Sequence, residues 1–362
     1  MDPQAGGKLV QEGTYGCIYI PKLKCKGEAD TLPQNDQVPH DIKIDKIMAA
    51  KHAILEFNIG RRVQQLPNWK KYYIVPDVMC EPEPKSYQVD KNIDDCATVD
   101  KSDWKDLRIL RMNYGGKSLQ EFKINIHEFN FLEFAISLLE AVALLTLNGI
   151  CHMDLHDGNV LVLGSRVHLI DFNLAIHAPT EVDLEKRLYH NYQQNLVQQP
   201  PDYLLVNAQS RIEEGDTRVP RLPQIIDELV EKKVIFRKER SILGITKPDQ
   251  ERPLLEFLKK SRVVKTGDLA GWFKIYWRTI DSWAAGTLLI DLISRLSLWP
   301  EYKLPPPFAT PKAKGMQMLR KLCEPNPLHR YDAVQALHEL HPTSEILQKY
   351  GKAWLQALAP SL

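Results

Sequence analysis

The chain has no run of apolar residues long enough to cross a bilayer, which excludes a helical membrane span. It has almost no net charge, +1 over 362 residues, so its composition does not point to nucleic acid as the main partner. It has no internal repeat, which excludes a solenoid. Its amino-terminal stretch, MDPQAGGKLVQEG, has no basic region followed by an apolar one, so no secretory leader is expected. It has only six cysteines (Cys17, Cys25, Cys80, Cys96, Cys151 and Cys323), and none of them forms a Cys-x-x-Cys pair. Without a leader they are expected to be reduced, with a metal site at the closest pair, Cys17 and Cys25, as the alternative. What remains is ordinary globular material, 44% hydrophobic and 26% charged. The length is large for one core and suits two packed subdomains or two domains.

Lys8–Pro21 reads as a strand, a glycine turn and a second strand, with Ile18 and Ile20 alternating against Cys17 and Tyr19. Residues 26–41 carry Gly27, Pro33 and Pro39 and read as a loop. Ile42–Ala49 alternates again and reads as a strand, and Ala49–Leu66 as a helix. Two further strands, YYIVPDVM and DLRILRMNY, flank a polar segment, Glu81–Asp103, expected to be a surface loop. After Gly115-Gly116 the pattern turns helical. Glu128–Ile150 is a helix stopped at Asn148-Gly149, Ile280–Leu296 is a second, and Leu319–Leu340 reads as two more, split by EPNPLHR. The expected class is α+β, with a strand-rich part over residues 1–115 and a helix-rich part over 116–362.

The chemistry concentrates in CHMDLHDGNVLVLGSRVHLIDFNLA, Cys151–Ala175. Asp154 can accept or align the proton of an attacking hydroxyl, and Asn159, five residues on, offers a carbonyl oxygen to Mg2+, a hard ion that prefers oxygen. Asp171 ends an apolar strand, where it can supply a second oxygen ligand. A loop of self-satisfied polar groups, or a zinc site using His152 and His156, are the competing readings.

His-Met-Asp-Leu-His-Asp-Gly-Asn resembles the catalytic loop of the protein kinases, and Asp171-Phe172-Asn173 resembles their Asp-Phe-Gly. The resemblance runs from about Lys8 to Leu340. It implies a two-lobed protein-kinase-like fold, a β-rich N-lobe and a helical C-lobe, with ATP and Mg2+ as cofactors. Asp154 is then the catalytic base, with His152 and Phe172 in support, and Asn159 and Asp171 hold the metal. Gly13 and Gly16 of EGTYG belong to a loop over the phosphates. Lys46, with Lys43 as the competing choice, pairs with Glu56 and positions the α- and β-phosphates. The backbone at Asn113 and Tyr114 meets adenine. IDSWAAG resembles the family's Asp-x-Trp-x-x-Gly helix, in which Asp281 braces the catalytic loop. Arg330 resembles a late Arg that pairs with an acidic residue ending the activation segment, here Asp202.

Several positions depart from the family pattern. Met153 stands where Arg would meet a phosphorylated activation segment, so activity is expected not to need that phosphorylation. His156 replaces a Lys on the transferred phosphate. A His at that place resembles the antibiotic and choline kinases, and a neutral imidazole donates one hydrogen bond but supplies less charge than an ammonium. Asn173 replaces Gly and is expected to tolerate a left-handed backbone there. Gly60, one turn after Glu56, is expected to loosen its helix. A long insert, 206–270, follows the activation segment. It holds an amphipathic helix near Pro223–Phe236 and cations at Lys232, Lys233, Arg237, Lys238 and Arg240, expected to be either a solvated helix or a docking surface for an acidic partner.

With GTYG, Pro21, Cys25 and the KIM strand, the whole is similar to divergent Ser/Thr protein kinases of large double-stranded DNA viruses, the iridovirus and giant-virus group. That resemblance implies protein substrates and a place in the host-cell cytoplasm or the virion. The alternatives are a pseudokinase scaffold or virion component, and a small-molecule kinase.

Overall fold

A computed structural model describes residues 8–13, 15–28, 42–88, 93–188 and 196–358. Most of the expected 26–41 loop, residues 89–92 of the Glu81–Asp103 segment, and Thr14 of EGTYG lie outside them. The protein is α+β and divides into two compact units, one of residues 1–116 with 170–173, the other of residues 117–169 with 174–362.

The first unit is built on a five-stranded antiparallel sheet. In chain order its elements are β1 (Lys8–Glu12), β2 (Gly16–Ile20), β3 (Lys43–Ala49), α1 (Ala50–Val63), β4 (Val78–Cys80), α2 (Ala97–Asp100) and β5 (Leu107–Asn113). The strand order is β1-β2-β3-β5-β4. Only the last residues of YYIVPDVM are strand.

Successive side chains of a strand point to opposite faces, and this chain puts a separate apolar cluster on each. Ile47, Leu107 and Ile109 join Cys17, Tyr19 and Leu23 in one cluster. Met48, Leu110 and Met112 join Ala53 of α1 in the other. In α1, Ala53, Glu56, Gly60 and Val63 are buried at the spacing of one helix face. A Cβ on Gly60 would stand 3.3 Å from the Val75 side chain, so this glycine permits close packing where a looser helix was expected.

The cysteines expected to be reduced are paired: Cys17 with Cys96 and Cys25 with Cys80. Both members of the proposed Cys17/Cys25 metal site are thereby used. Only Cys151 and Cys323 are free, and both are buried. The disulfides also revise the Glu81–Asp103 segment. Ile93, Cys96 and Val99 are buried against β2 and β3 residues, so part of the expected surface loop is core.

The second unit holds β6 (Lys117–Ser118), α3 (Phe131–Leu147), β7 (Ile150–Cys151), β8 (Val160–Leu163), β9 (Arg166–Leu169), β10 (Ile176–His177) and α4 (Leu184–Leu188). There follow α5 (Pro201–Glu213), α6 (Leu222–Lys232), α7 (Val234–Leu243), α8 (Lys247–Lys260), α9 (Arg262–Thr266) and α10 (Leu269–Tyr276). The chain then forms α11 (Ile280–Leu296), α12 (Lys314–Leu322), α13 (Ala333–Leu340) and α14 (Lys352–Leu358). The strands pair as β6-β8-β9 and β7-β10.

Helix α3 is apolar almost all round and correspondingly buried. The Asn130 side chain accepts from the Glu133 N–H to start it, and Gly149, at φ +72°, lies just beyond its end.

The insert is not a solvated appendage. Ile225, Ile226, Leu229, Val230, Phe236, Leu254 and Phe257 are all buried, and Phe236 packs on Trp283 of α11 with ring centroids 5.9 Å apart. The single helix expected over Pro223–Phe236 breaks at Lys233, whose extended backbone separates α6 from α7. The basic cluster also dissolves as a surface. Lys233 is buried, Lys238 pairs with Asp291, and Arg240 bonds the Val230 carbonyl and Gln250. Lys232 and Arg237 alone of the five are exposed, too few to make the expected acidic-partner surface.

Candidate active site

In the first unit, the alternation of β3 separates two charges. Lys46 shares a face with Met48 and meets α1, while Asp45 turns to the other face. The Lys46 Nζ donates to Glu56 Oε2 at 2.8 Å and to Asp171 Oδ1 at 2.9 Å. Lys46 and Glu56 are buried; the Asp171 side chain is about one-third exposed. Burial disfavours the Lys46 ammonium, but the two carboxylates outweigh it and hold the lysine charged well above its usual range. Burial pushes the Glu56 carboxyl up, Lys46 opposes this, and Asp171 adds to it. The competing Lys43 is instead a surface residue paired with Asp77.

Asp171 has a left-handed backbone, φ 61°, which is uncommon for a non-glycine residue. Left-handed geometry was expected at Asn173, but Asn173 lies in a 3-10 turn over Phe172–Leu174 without it. Its carboxamide is buried, and neither its nitrogen nor its oxygen has a partner among the described residues. Phe172 is buried edge-on to Tyr73.

Gly13 and Gly16 close the β1–β2 turn through a bond from the Gly13 N–H to the Gly16 carbonyl. A Cβ on Gly16 would stand 2.4 Å from the Ile47 carbonyl, so close strand packing alone requires glycine there. The expected adenine contact at Tyr114 loses its donor, because that N–H bonds the Ile42 carbonyl. Asn113 sits opposite Lys43 in the β3–β5 ladder.

The second unit carries Asp154 and the residues around it. Asp281 of α11 accepts the backbone N–H groups of His152 (2.5 Å) and Met153 (3.0 Å), one on each carboxylate oxygen. This brace supports a left-handed Met153, φ 67°. Asn159 Nδ2 donates to the Asp154 carbonyl at 2.9 Å, so its carboxamide oxygen takes no part in that bond. His156 Nδ1 accepts the Gly158 N–H at 3.1 Å, which puts the proton of a neutral ring on Nε2, 3.8 Å from Asp154 Oδ2. A Cβ on Gly158 would collide with that ring at 2.7 Å.

Asp202 and Arg330 form a fully buried pair at 2.6 Å, and Trp272 donates to the other Asp202 oxygen at 2.8 Å. Arg330 also lies over the Trp283 ring, 5.1 Å from its centroid. The expected site residues thus fall into Lys46–Glu56–Asp171, Asp154–His156–Asn159, and the Asp281 and Asp202–Arg330 supports.

Three contacts escaped the sequence reading. Gln198 Nε2 donates to Asp154 Oδ1 at 3.0 Å from 44 residues away, and no local pattern marks it. Asp45 and Arg111 form a bidentate pair, both bonds 2.9 Å, directly opposite each other on β3 and β5. Glu28 joins Arg111 at 2.9 Å.

Among the described residues no group of three or more His, Cys, Asp or Glu side chains could hold a metal ion, which leaves the zinc alternative without a ligand set. No helix among them is long and apolar enough to cross a membrane. No protein-family model matches the sequence, and no curated protein matches it.

Proposed function

We propose that the protein is an ATP- and Mg2+-dependent kinase that transfers the γ-phosphoryl group to Ser or Thr of protein substrates. The observation that carries this reading is the Lys46 ammonium shared between Glu56 and Asp171, at 2.8 and 2.9 Å. A buried lysine fixed by a helix carboxylate is a rigid cation suited to phosphate oxygens, and Asp171 keeps an exposed portion with which to meet a cation. The carboxylate of Asp171 and the amide oxygen of Asn159 are each a donor of the kind Mg2+ prefers. When bound, Mg2+ neutralises charge on the phosphate oxygens.

Asp154 takes the role of base, accepting the hydroxyl proton of the substrate. His156, with Nε2 3.8 Å from Asp154 Oδ2, stands where the family has a lysine ammonium. Protein substrates are favoured over small ones by the buried Asp281 brace and the Asp202–Arg330 pair, the features that distinguish protein kinases in the sequence resemblance.

The test is transfer of radiolabelled γ-phosphate from ATP with Mg2+, to a generic basic protein and to the chain itself, in wild type and Asp154→Asn. Label on Ser or Thr that is lost in the variant is expected. Label on a sugar or on choline with none on protein would move the reading to a small-molecule kinase. No label, with ATP still raising the melting temperature, would mean a nucleotide-binding scaffold.

A further inference from the structure

The segment just before α5 is held to the catalytic loop by a side chain that the proposed function does not use. Gln198 is 9% exposed, and its Nε2 donates to Asp154 Oδ1 at 3.0 Å. The carbonyls on both sides of Gln198 are pinned by buried donors. Trp283 Nε1 of α11 donates to the Val197 carbonyl at 3.1 Å. Lys233 Nζ, at the break between α6 and α7, donates to the Gln199 carbonyl at 3.2 Å. The two anchors are tied together, because Phe236, three residues after Lys233, packs on the Trp283 ring. Pro200 and Pro201 follow directly and restrict the backbone further.

We propose that Gln198 is a positioning residue for Asp154, and that Lys233 of the helical insert fixes Gln198 in place. This rests on the kinase reading for its catalytic consequence, though not for the contact itself. With Gln198 on Oδ1, the carboxylate is held in one orientation and Oδ2 is turned toward Asn159 Nδ2 (3.4 Å) and His156 Nε2 (3.8 Å). A neutral amide can orient the carboxylate without neutralising it. Holding the base in one rotamer prepays an orientation cost, and loss of that orientation can lower turnover by about a hundredfold.

The arrangement also gives the insert a purpose. Met153 offers no cation to a phosphorylated segment, and Lys233 reaches this stretch from the insert instead. Lys233 is buried near Glu239 and Asp202; burial lowers the ammonium to about 7, against the pull of those two carboxylates. A lysine in either state still carries N–H donors for the Gln199 carbonyl.

The test compares Gln198→Glu, Gln198→Met and Lys233→Met with wild type, by steady-state transfer and by the 15N side-chain amide resonance of Gln198. The glutamate isostere keeps the volume but sets a carboxylate against Asp154. It is expected to lower kcat by about a hundredfold with KM for ATP within about threefold. Gln198→Met should lose about tenfold by the same measure, and Lys233→Met less. The Gln198 amide resonance should move in Asp154→Asn and in Lys233→Met. Equal kcat in Gln198→Glu and wild type would overturn the positioning role, as would a loss of rate that follows the melting temperature across the variants. A resonance that moves in neither variant would overturn the contact even in a chain that transfers nothing. Wild type without transfer removes the kinase reading and the catalytic half of the proposal, and the resonance still decides the contact.

Discussion

Neighbouring residues of β3 show how much chemistry a two-residue period can separate. Lys46 goes to the candidate site, while Asp45 goes to a buried ion pair with Arg111, which also bonds the Leu23 carbonyl at 2.8 Å. Asp45 further accepts the Leu23 N–H at 2.7 Å. The group is saturated with partners, which is the condition for tolerating a buried charge. Arg111→Met is expected to cost about 3–5 kcal/mol in denaturant unfolding, because it strands the Asp45 carboxylate. Arg111→Met with Asp45→Leu should recover a large part of that loss. Glu28 is the acid-sensitive member. Burial raises its carboxyl, but Lys22 and Arg111 prevail and hold it at about 2 rather than its usual 4.5. A carboxyl depressed on folding stabilises above its unfolded value and loses that contribution as pH falls toward 2, here on the order of 1–2 kcal/mol once solvent screening is allowed for. Thermal melts from pH 5 to 2 should show a shallower decline in Glu28→Gln than in wild type.

At the scale of elements, α11 organises the second unit. Asp281 braces the backbone at His152 and Met153, Trp283 holds Val197 and packs on Phe236, and Arg330 covers the same indole. Helices α6 to α8 are therefore part of the support beneath Asp202 and Gln198. From the sequence alone, removal of the insert is expected to spare the fold and weaken only a partner contact. The buried Leu229, Phe236, Leu254 and Phe257 reverse that expectation. Four large apolar side chains at about 1.5–3 kcal/mol each are together comparable to the whole stability of a marginally stable unit. Deletion of 222–260 should give an insoluble or molten chain, read by loss of the cooperative melting transition.

At the scale of the molecule, the two units differ in how they are held. The first is cross-linked by two disulfides, spanning 79 and 55 residues, the shorter nested inside the longer, while the second keeps its two cysteines buried and free. Closing loops of these lengths is worth about 4 kcal/mol each in the chain-entropy account, and less than the sum when one loop lies inside the other. Reductant should lower the melting temperature of the first unit by several degrees, and Cys17→Ser with Cys96→Ser should reproduce part of that shift. No change with reductant would mean that the cysteines are not paired in solution. Disulfides of this kind form under oxidising conditions, which tells against the reduced thiols expected from the sequence.

The residues of the candidate site, its order along the chain, the α+β class and the change of character near Gly116 were legible in the sequence, because each depends on local spacing: period two for Lys46, five residues from Asp154 to Asn159, a helical apolar run for α3 and α11. Asp171 as a partner for Lys46 required the fold, since the two lie 125 residues apart. The disulfides, the burial of Lys233, the occupied N–H of Tyr114 and the reach of Gln198 to Asp154 are decided by tertiary structure alone. Each joins atoms whose separation in sequence carries no periodic signal, and only packing brings such atoms within the distance of a bond.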